Sequence, residues 1–185
     1  MSDGPLLWYV NRGTGVVLVA LLTLVTVLGV VGRHSRAGGR VPGFVVPALH
    51  RNLSVLCVGL LVVHASSAVA DEYVDIRWWQ AFAPWALSYR PWWLGLGTVG
   101  SDLILAAALS SAVRTRLGHR AWRAIHWTTY GAWALGVVHG LGTGTDVAEP
   151  WVRLLYVASL ACVGLAILVR LAGHRMRTRG SQVAR

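Results

Sequence analysis

The sequence predicts an all-α integral membrane protein, a bundle of five transmembrane helices with one further segment lying at the membrane interface. Two observations favour this fold class over a soluble domain. Hydrophobic residues make up 55% of the 185 positions, and the mean hydropathy is +0.56. Five apolar stretches are long enough to cross the hydrocarbon core of a bilayer, which takes about 20 helical residues.

The five predicted spans cover about residues 8–31, 49–70, 92–113, 124–141 and 151–171. Residues 1–171 are therefore expected to form one membrane domain, followed by a basic cytoplasmic tail at 172–185. The N-terminus lacks the basic region and the small-residue cleavage site of a signal peptide, so the first span is expected to be retained.

The charge distribution predicts the topology. The formal net charge is +10, the chain has no lysine, and 13 of its 17 arginines lie in two connections and the tail. These are Arg33, Arg36, Arg40, Arg51, Arg114, Arg116, Arg120, Arg123, Arg170, Arg175, Arg177, Arg179 and Arg185. The alternate segments hold Asp3, Asp71, Glu72, Asp75, Asp146 and Glu149. This asymmetry predicts a multi-pass plasma (inner) membrane protein with its N-terminus outside and its C-terminus cytoplasmic. The basic excess is then topological, so the expected partner is the lipid bilayer and no nucleic acid.

The second and fourth spans carry paired histidines. The second has His50 at its Arg-flanked end and His64 about four turns deeper, and the fourth has His126 and His139 in a similar relation. An ionisable group in hydrocarbon is costly and usually marks function. If the two helices run in the same direction, His50 lies level with His126, and His64 with His139. Each level then offers two neutral imidazoles across a gap, the axial ligation that a b-type haem iron needs.

The helical rotation supports this arrangement only in part. A separation of 14 brings His64 back to within about 40° of His50. A separation of 13 leaves the two histidines of the fourth span about 140° apart, which helix tilt or distortion near Gly131 and Gly136 has to compensate. Two haems are favoured, and one haem with two structural histidines stays open.

Three arginines are candidate cofactor-binding residues. Arg12 lies about one turn inside the first span on the outer side, where it either reaches lipid phosphate or binds the propionates of an outer haem. Arg51 and Arg123 flank the histidines of the cytoplasmic level. They can serve the cofactor or dock an acidic partner, although membrane orientation already explains them.

The remaining polar and aromatic features have more than one interpretation. Asp102 is the only acidic residue predicted within the membrane; it is expected to orient a ligand histidine, to pair with Arg12, or to bond another helix. Cys57 and Cys162 are interpreted as small core residues. The tryptophan-rich segment 78–93 is interrupted by prolines, which predicts an interfacial position, with a lid or a shallow quinone site as the alternative.

Several short motifs of the sequence resemble those of the ferric reductase-like transmembrane component family. They are HRN at 50–52, WRAIHWTTY at 122–130 and HGLGTGTD at 139–146, together with the histidine separations of 14 and 13. The resemblance extends over about residues 8–171. Members of the family include the membrane halves of NADPH oxidases and ferric-chelate reductases, and the haem subunit of a bacterial methionine sulfoxide reductase system.

The resemblance implies b haems held between the second and fourth helices by His50, His64, His126 and His139. It also implies electron transfer across or into the membrane, as the haem subunit of an oxidoreductase. Members of the family often have six helices, whereas five are predicted here. The reductases continue into flavin- and nicotinamide-binding domains, while this sequence ends at Arg185, shortly after the last predicted span. The expected donor is therefore a separate flavoprotein reductase or a membrane quinol, with an acceptor on the outer side. The alternatives are a haem or metal carrier without turnover and a structural scaffold.

Overall fold

The computed structural model describes residues 6–32, 42–71, 76–86 and 89–183, with side chains as far as residue 173. Within these ranges it contains α-helices, one short 3₁₀ helix and no strand, which confirms the predicted all-α class. The helices are α1 (Leu6–Val31), α2 (Val45–Ala70), α3 (Pro91–Ala112), α4 (His119–Thr143) and α5 (Pro150–Val183), and the 3₁₀ helix is Trp78–Ala81.

Prolines lie at the start of three helices. Pro91 and Pro150 each occupy the first helical position, where the missing N–H costs no intrahelical bond. The second helix begins at Val45, earlier than the predicted start after Pro47. The first turn tolerates Pro47 because the N–H groups there have no intrahelical acceptor.

Four helices are long and apolar enough to cross a membrane, namely α1, α2, α3 and the Pro150–Gly173 part of α5. The chain is therefore a multi-pass membrane protein. Helix α4 contains the predicted fourth span but is less apolar along its length, because arginines and histidines interrupt it. The crossing of α4 stays a prediction.

The first four helices are arranged as a ring. The extensive contacts join α1 to α2, α1 to α4, and α3 to α4, with a smaller contact between α2 and α3. Helices α2 and α4 thus face each other diagonally across the ring. Helix α5 packs on the outside, against α1.

Helix α5 continues without a break from Pro150 past residue 171 to Val183. The predicted boundary between membrane domain and tail therefore falls inside a helix. Many of the charges behind the predicted topology lie outside the described backbone or side chains. These are Asp3, Arg33, Arg36, Arg40, Glu72, Asp75, Arg175, Arg177, Arg179 and Arg185.

The two cysteines differ in environment. Cys57 is buried in a cluster with Leu18 and Leu61, as predicted. Cys162 is exposed on α5, so its assignment to the core is wrong. The physical reason is that α5 contacts the other helices along one side, mainly α1 and, through Val152 and Tyr156, also α4, so the face that carries Cys162 stays exposed.

Candidate functional site

The four histidines form two pairs between α2 and α4. The ring centres of His50 and His126 lie 6.2 Å apart, and those of His64 and His139 lie 6.5 Å apart. The ring planes within each pair are steeply inclined, at 69° and 86°. The pairing by level confirms that α2 and α4 run in the same direction. The pairs are separated by a rise of about 21 Å along α2. We call them the inner pair (His50 and His126) and the outer pair (His64 and His139).

Both histidines of α4 reach α2, although the helix is continuous between them. The two rings are held by different neighbours. The Nδ1 atom of His139 bonds to a carbonyl of α3, whereas the ring of His126 stacks on Trp122 of its own helix. Side-chain direction therefore compensates for the unfavourable rotation between the two positions.

Three of the histidines donate Nδ1–H to a backbone carbonyl of a neighbouring helix. His50 bonds to Val25 O at 3.0 Å, His64 to Asn11 O at 2.9 Å, and His139 to Trp93 O at 2.8 Å. A carbonyl oxygen only accepts, so Nδ1 carries the proton in each ring. The neutral imidazole then keeps its lone pair on Nε2, the nitrogen available to a metal.

The same three rings pack against glycines. A methyl group built on Gly29 would lie 3.3 Å from His50, one on Gly15 would lie 3.0 Å from His64, and one on Gly97 would lie 2.6 Å from His139. Each glycine stands one helical turn after the carbonyl that accepts the proton. A larger residue at these positions would displace the ring from its acceptor.

These contacts between glycines and histidines are not among the features predicted from the sequence. Gly15 and Gly29 have the same separation in the sequence as His50 and His64 on the adjacent, antiparallel helix. The equal spacing could have predicted these glycine–histidine contacts from the sequence. That prediction also requires the assumption that α1 and α2 pack as an antiparallel hairpin.

His126 lacks this arrangement. Its Nδ1 atom is buried and has no hydrogen-bond partner among the described residues. Its ring lies 5.2 Å from the Trp122 ring at an angle of 22°, a stacked geometry. The indole N–H of Trp122 in turn donates to Ser111 Oγ at 3.2 Å.

The candidate arginines lie at both ends of the site. Arg12 forms an ion pair with Asp146 and stacks over Trp8, with its guanidinium carbon 4.5 Å from the ring centre. Arg51 is exposed at the inner end. Arg123 is also exposed and lies over the ring of Trp127.

Asp102 is partly buried on α3, with no hydrogen bond or ion pair among the described residues. Its suggested pairing with Arg12 is wrong, because Arg12 binds Asp146 of the connection between α4 and α5 instead. The Asp146 carboxylate lies next to the N-terminal end of α1, within reach of the Arg12 guanidinium.

The tryptophan-rich segment begins with the 3₁₀ helix, and its last residues open α3. Trp85 packs on Gly95, and the Arg90 guanidinium donates to Gly142 O at 2.8 Å. Both Trp85 and Arg90 have positive φ angles, 63° and 41°. Several of its aromatic rings are exposed, as expected at a headgroup layer. The segment thus connects the outer ends of α3 and α4 beside the outer pair.

Among the residues that the structure describes, no group of three or more His, Cys, Asp or Glu side chains is placed to hold one metal ion.

The fold and the site define a multi-pass helical membrane protein with two levels of facing imidazoles on diagonal helices. The chain belongs to the ferric reductase-like transmembrane component family, since the family model "Ferric reductase like transmembrane component" matches residues 14–137, more than half of the sequence. The match confirms the family that the sequence predicts. It contains His50, His64 and His126 and ends just before His139. No curated protein and no solved structure matches the chain.

Proposed function

We propose that the protein is a b-type haem electron-transfer protein, the haem subunit of a membrane oxidoreductase. The inner pair would ligate one haem and the outer pair a second. Electrons would enter from a flavoprotein reductase on the cytoplasmic side or from a membrane quinol, and leave to an acceptor on the outer side. Family membership supports electron transfer in the membrane.

The observation that carries the proposal is the separation of the rings. A metal–imidazole bond of about 2.0 Å puts the ring centres of two imidazoles on opposite sides of one metal roughly 6 Å apart. The inner and outer pairs have separations of 6.2 and 6.5 Å. Two rings in direct contact through hydrogen bonds would not require this spacing at both levels.

The surroundings of the pairs fit a planar group. Helices α2 and α4 are diagonal rather than closely packed, so the histidines are the groups that meet between them. Gly136 lies just before His139 in the sequence, close to one helical turn away, and therefore on a similar side of α4. A methyl group built on Gly136 would meet no atom within 4 Å. The two imidazoles of each level would hold a b-type haem through their Nε2 atoms.

When bound, haem supplies one-electron redox chemistry at its iron. The protein's residues supply the remaining functions. Backbone carbonyls of α1 and α3 hold Nδ1–H of three histidines and so fix the tautomer and the plane of each ring.

The arginines have proposed roles at the two ends. Arg12 follows Asn11, the residue whose carbonyl binds His64, so it lies at the level of the outer pair. Its guanidinium has several N–H donors, so it can bind a propionate while it remains paired with Asp146. Exposed Arg51 and Arg123 would bind propionates at the inner end, or the acidic surface of a donor protein.

The test is a reduced-minus-oxidised absorbance spectrum of the purified protein, with haem quantified per chain. We expect a b-type spectrum and two haems. The His174→Ala variant is a control, because His174 lies on α5, outside the two helices that carry the paired histidines. It should keep both haems. A protein that contains no haem would contradict the proposal, as would a His64→Ala variant that keeps as much haem as His174→Ala.

The direction of transfer is tested in vesicles of known orientation. Reduction of haem by a soluble flavoprotein presented to the arginine-rich face is expected, and reduction from the opposite face alone would reverse the direction. Reduction by a quinol without any soluble donor would identify the membrane pool as the source. A haem that is never reduced by either donor would favour the carrier function instead.

The topology is tested with reporter fusions after Arg185 and within residues 71–77. We propose five crossings, so the C-terminal fusion should be active in the cytoplasm and the loop fusion outside. The same location for both fusions would exclude this topology.

A further inference from the structure

Helices α1 and α3 hold histidines by one repeated arrangement. A backbone carbonyl accepts the Nδ1–H bond, and a glycine one helical turn later leaves room for the ring. Helix α1 contains it twice, as Asn11 with Gly15 and Val25 with Gly29, at the spacing that separates His50 from His64. Helix α3 contains it once, as Trp93 with Gly97, where it holds His139.

A step of 14 residues along α3, the spacing that separates His50 from His64, leads from Trp93 and Gly97 to Ala107 and Ser111. These positions share a similar face of the helix, because a step of 14 residues falls only about 40° short of four whole turns. In place of the glycine there is a serine, and its hydroxyl donates to Ala107 O at 2.7 Å. The carbonyl that would accept from His126 therefore already accepts from a side chain of its own helix.

Trp122 connects this serine to the histidine. Its indole N–H donates to Ser111 Oγ at 3.2 Å, and its ring stacks on His126. The imidazole is thus held by its face, while its Nδ1 atom is buried without an acceptor among the described residues.

We propose that Ser111 and Trp122 form a positioning unit for His126, taking the place of the carbonyl and glycine that hold the other three histidines. The proposal rests on the proposed haem function. Trp122 fixes the plane of the ring, and Ser111 fixes Trp122.

The unit has an electronic consequence. A hydrogen bond from Nδ1–H to an acceptor raises the basicity of the imidazole toward a metal. His126 has no such bond within the described part of the chain, so it is a weaker donor than the other three histidines. The inner pair therefore combines one imidazole that has an Nδ1–H hydrogen bond, His50, with one that lacks it, His126. This difference should distinguish the inner pair spectroscopically from the outer pair.

The experiment compares Trp122→Leu with Trp122→Phe, and uses Trp78→Leu as the control because Trp78 is an exposed tryptophan outside α2 and α4. The full chain is purified, and haem content, low-spin electron paramagnetic resonance signals and midpoint potentials are measured. We expect Trp122→Leu to shift or remove the signal that His126→Ala removes, with a haem affinity at that level about 10- to 100-fold lower. Trp122→Phe keeps an aromatic ring but loses the bond to Ser111, so it should retain the signal with a smaller shift. Trp78→Leu should leave both signals unchanged.

Unchanged signals and potentials in Trp122→Leu would overturn the proposal, as would an equal shift at both levels. Ser111→Ala removes the acceptor of the indole N–H together with the donor to Ala107 O, and it should give a smaller shift of the same signal because the ring of Trp122 remains. If Trp122→Leu does not fold, an unchanged spectrum in Ser111→Ala overturns the proposal. Failure of the haem function is distinguishable, because the unaltered protein would then contain no haem or would keep both signals in His126→Ala.

Discussion

The outer and inner pairs have similar ring separations but are held differently. At the outer level, both His64 and His139 donate to backbone carbonyls and pack against glycines. At the inner level only His50 does so, while His126 rests on a tryptophan. Both rings of the outer level have a backbone acceptor, whereas one of the two rings of the inner level is held by a side chain instead.

The difference shows which parts of such a site can be altered by substitution. A carbonyl acceptor is present whatever the residue, so substitution changes it only by moving the helix. A tryptophan that is itself held by a serine hydroxyl can be replaced directly. The inner level is therefore the one whose ligand environment a few side chains control.

The largest effect should come from the ligands themselves. Replacing His64 or His139 with alanine should remove the haem of the outer level and leave the inner one, because each pair is complete in itself. Pyridine haemochrome assay and spectra of the single variants measure this. Loss of both haems from every single variant would show that the levels are not independent, and an unchanged spectrum would remove that histidine from the ligand set.

A smaller but distinct effect is expected from Gly97→Ala. Its methyl group would lie 2.6 Å from His139 Nδ1, so the ring must leave the Trp93 carbonyl. The outer signal should broaden or weaken while the inner signal stays. Gly13→Ala is the control, since a methyl group there meets no atom within 4 Å and should stabilise α1 by about 0.5–1 kcal/mol. Equal spectra for the two variants would remove the steric role of Gly97.

The smallest effect concerns the ion pair of Arg12 with Asp146, for which the described residues show no counterpart at the inner level. Asp146→Asn should lower the free energy of unfolding by about 1–2 kcal/mol, because both side chains are only partly solvated. Thermal unfolding in detergent measures the loss. In a double-mutant cycle with Arg12→Gln, additive losses would show that the pair contributes nothing.

The sequence alone predicted the helices and the pairing by level. Apolar length identified α1, α2, α3 and α5, and the separations of 14 and 13 identified the partners. These features follow from helix geometry, which repeats with a known period. The Nδ1 acceptors were not predictable in the same way, because a backbone carbonyl has no signature in the side-chain sequence.

Two further outcomes depended on tertiary contacts. Arg12 was expected to face lipid, propionate or Asp102, and Asp146 became its partner because the loop after α4 lies over the end of α1. Cys162 resembles Cys57 in sequence context, yet only Cys57 lies between helices. Hydropathy does not distinguish a helix face covered by protein from one covered by lipid.

Helix α1 has no histidine, but it supplies both carbonyls and both glycines for the histidines of α2. A chain made from its N-terminus completes the α1–α2 hairpin before α4 leaves the ribosome. The Nδ1 tautomers of His50 and His64 can therefore be set by α1 while the opposite side of the gap is still absent. In the proposed haem protein, capture of a cofactor by both ligands of either pair would follow the arrival of α4.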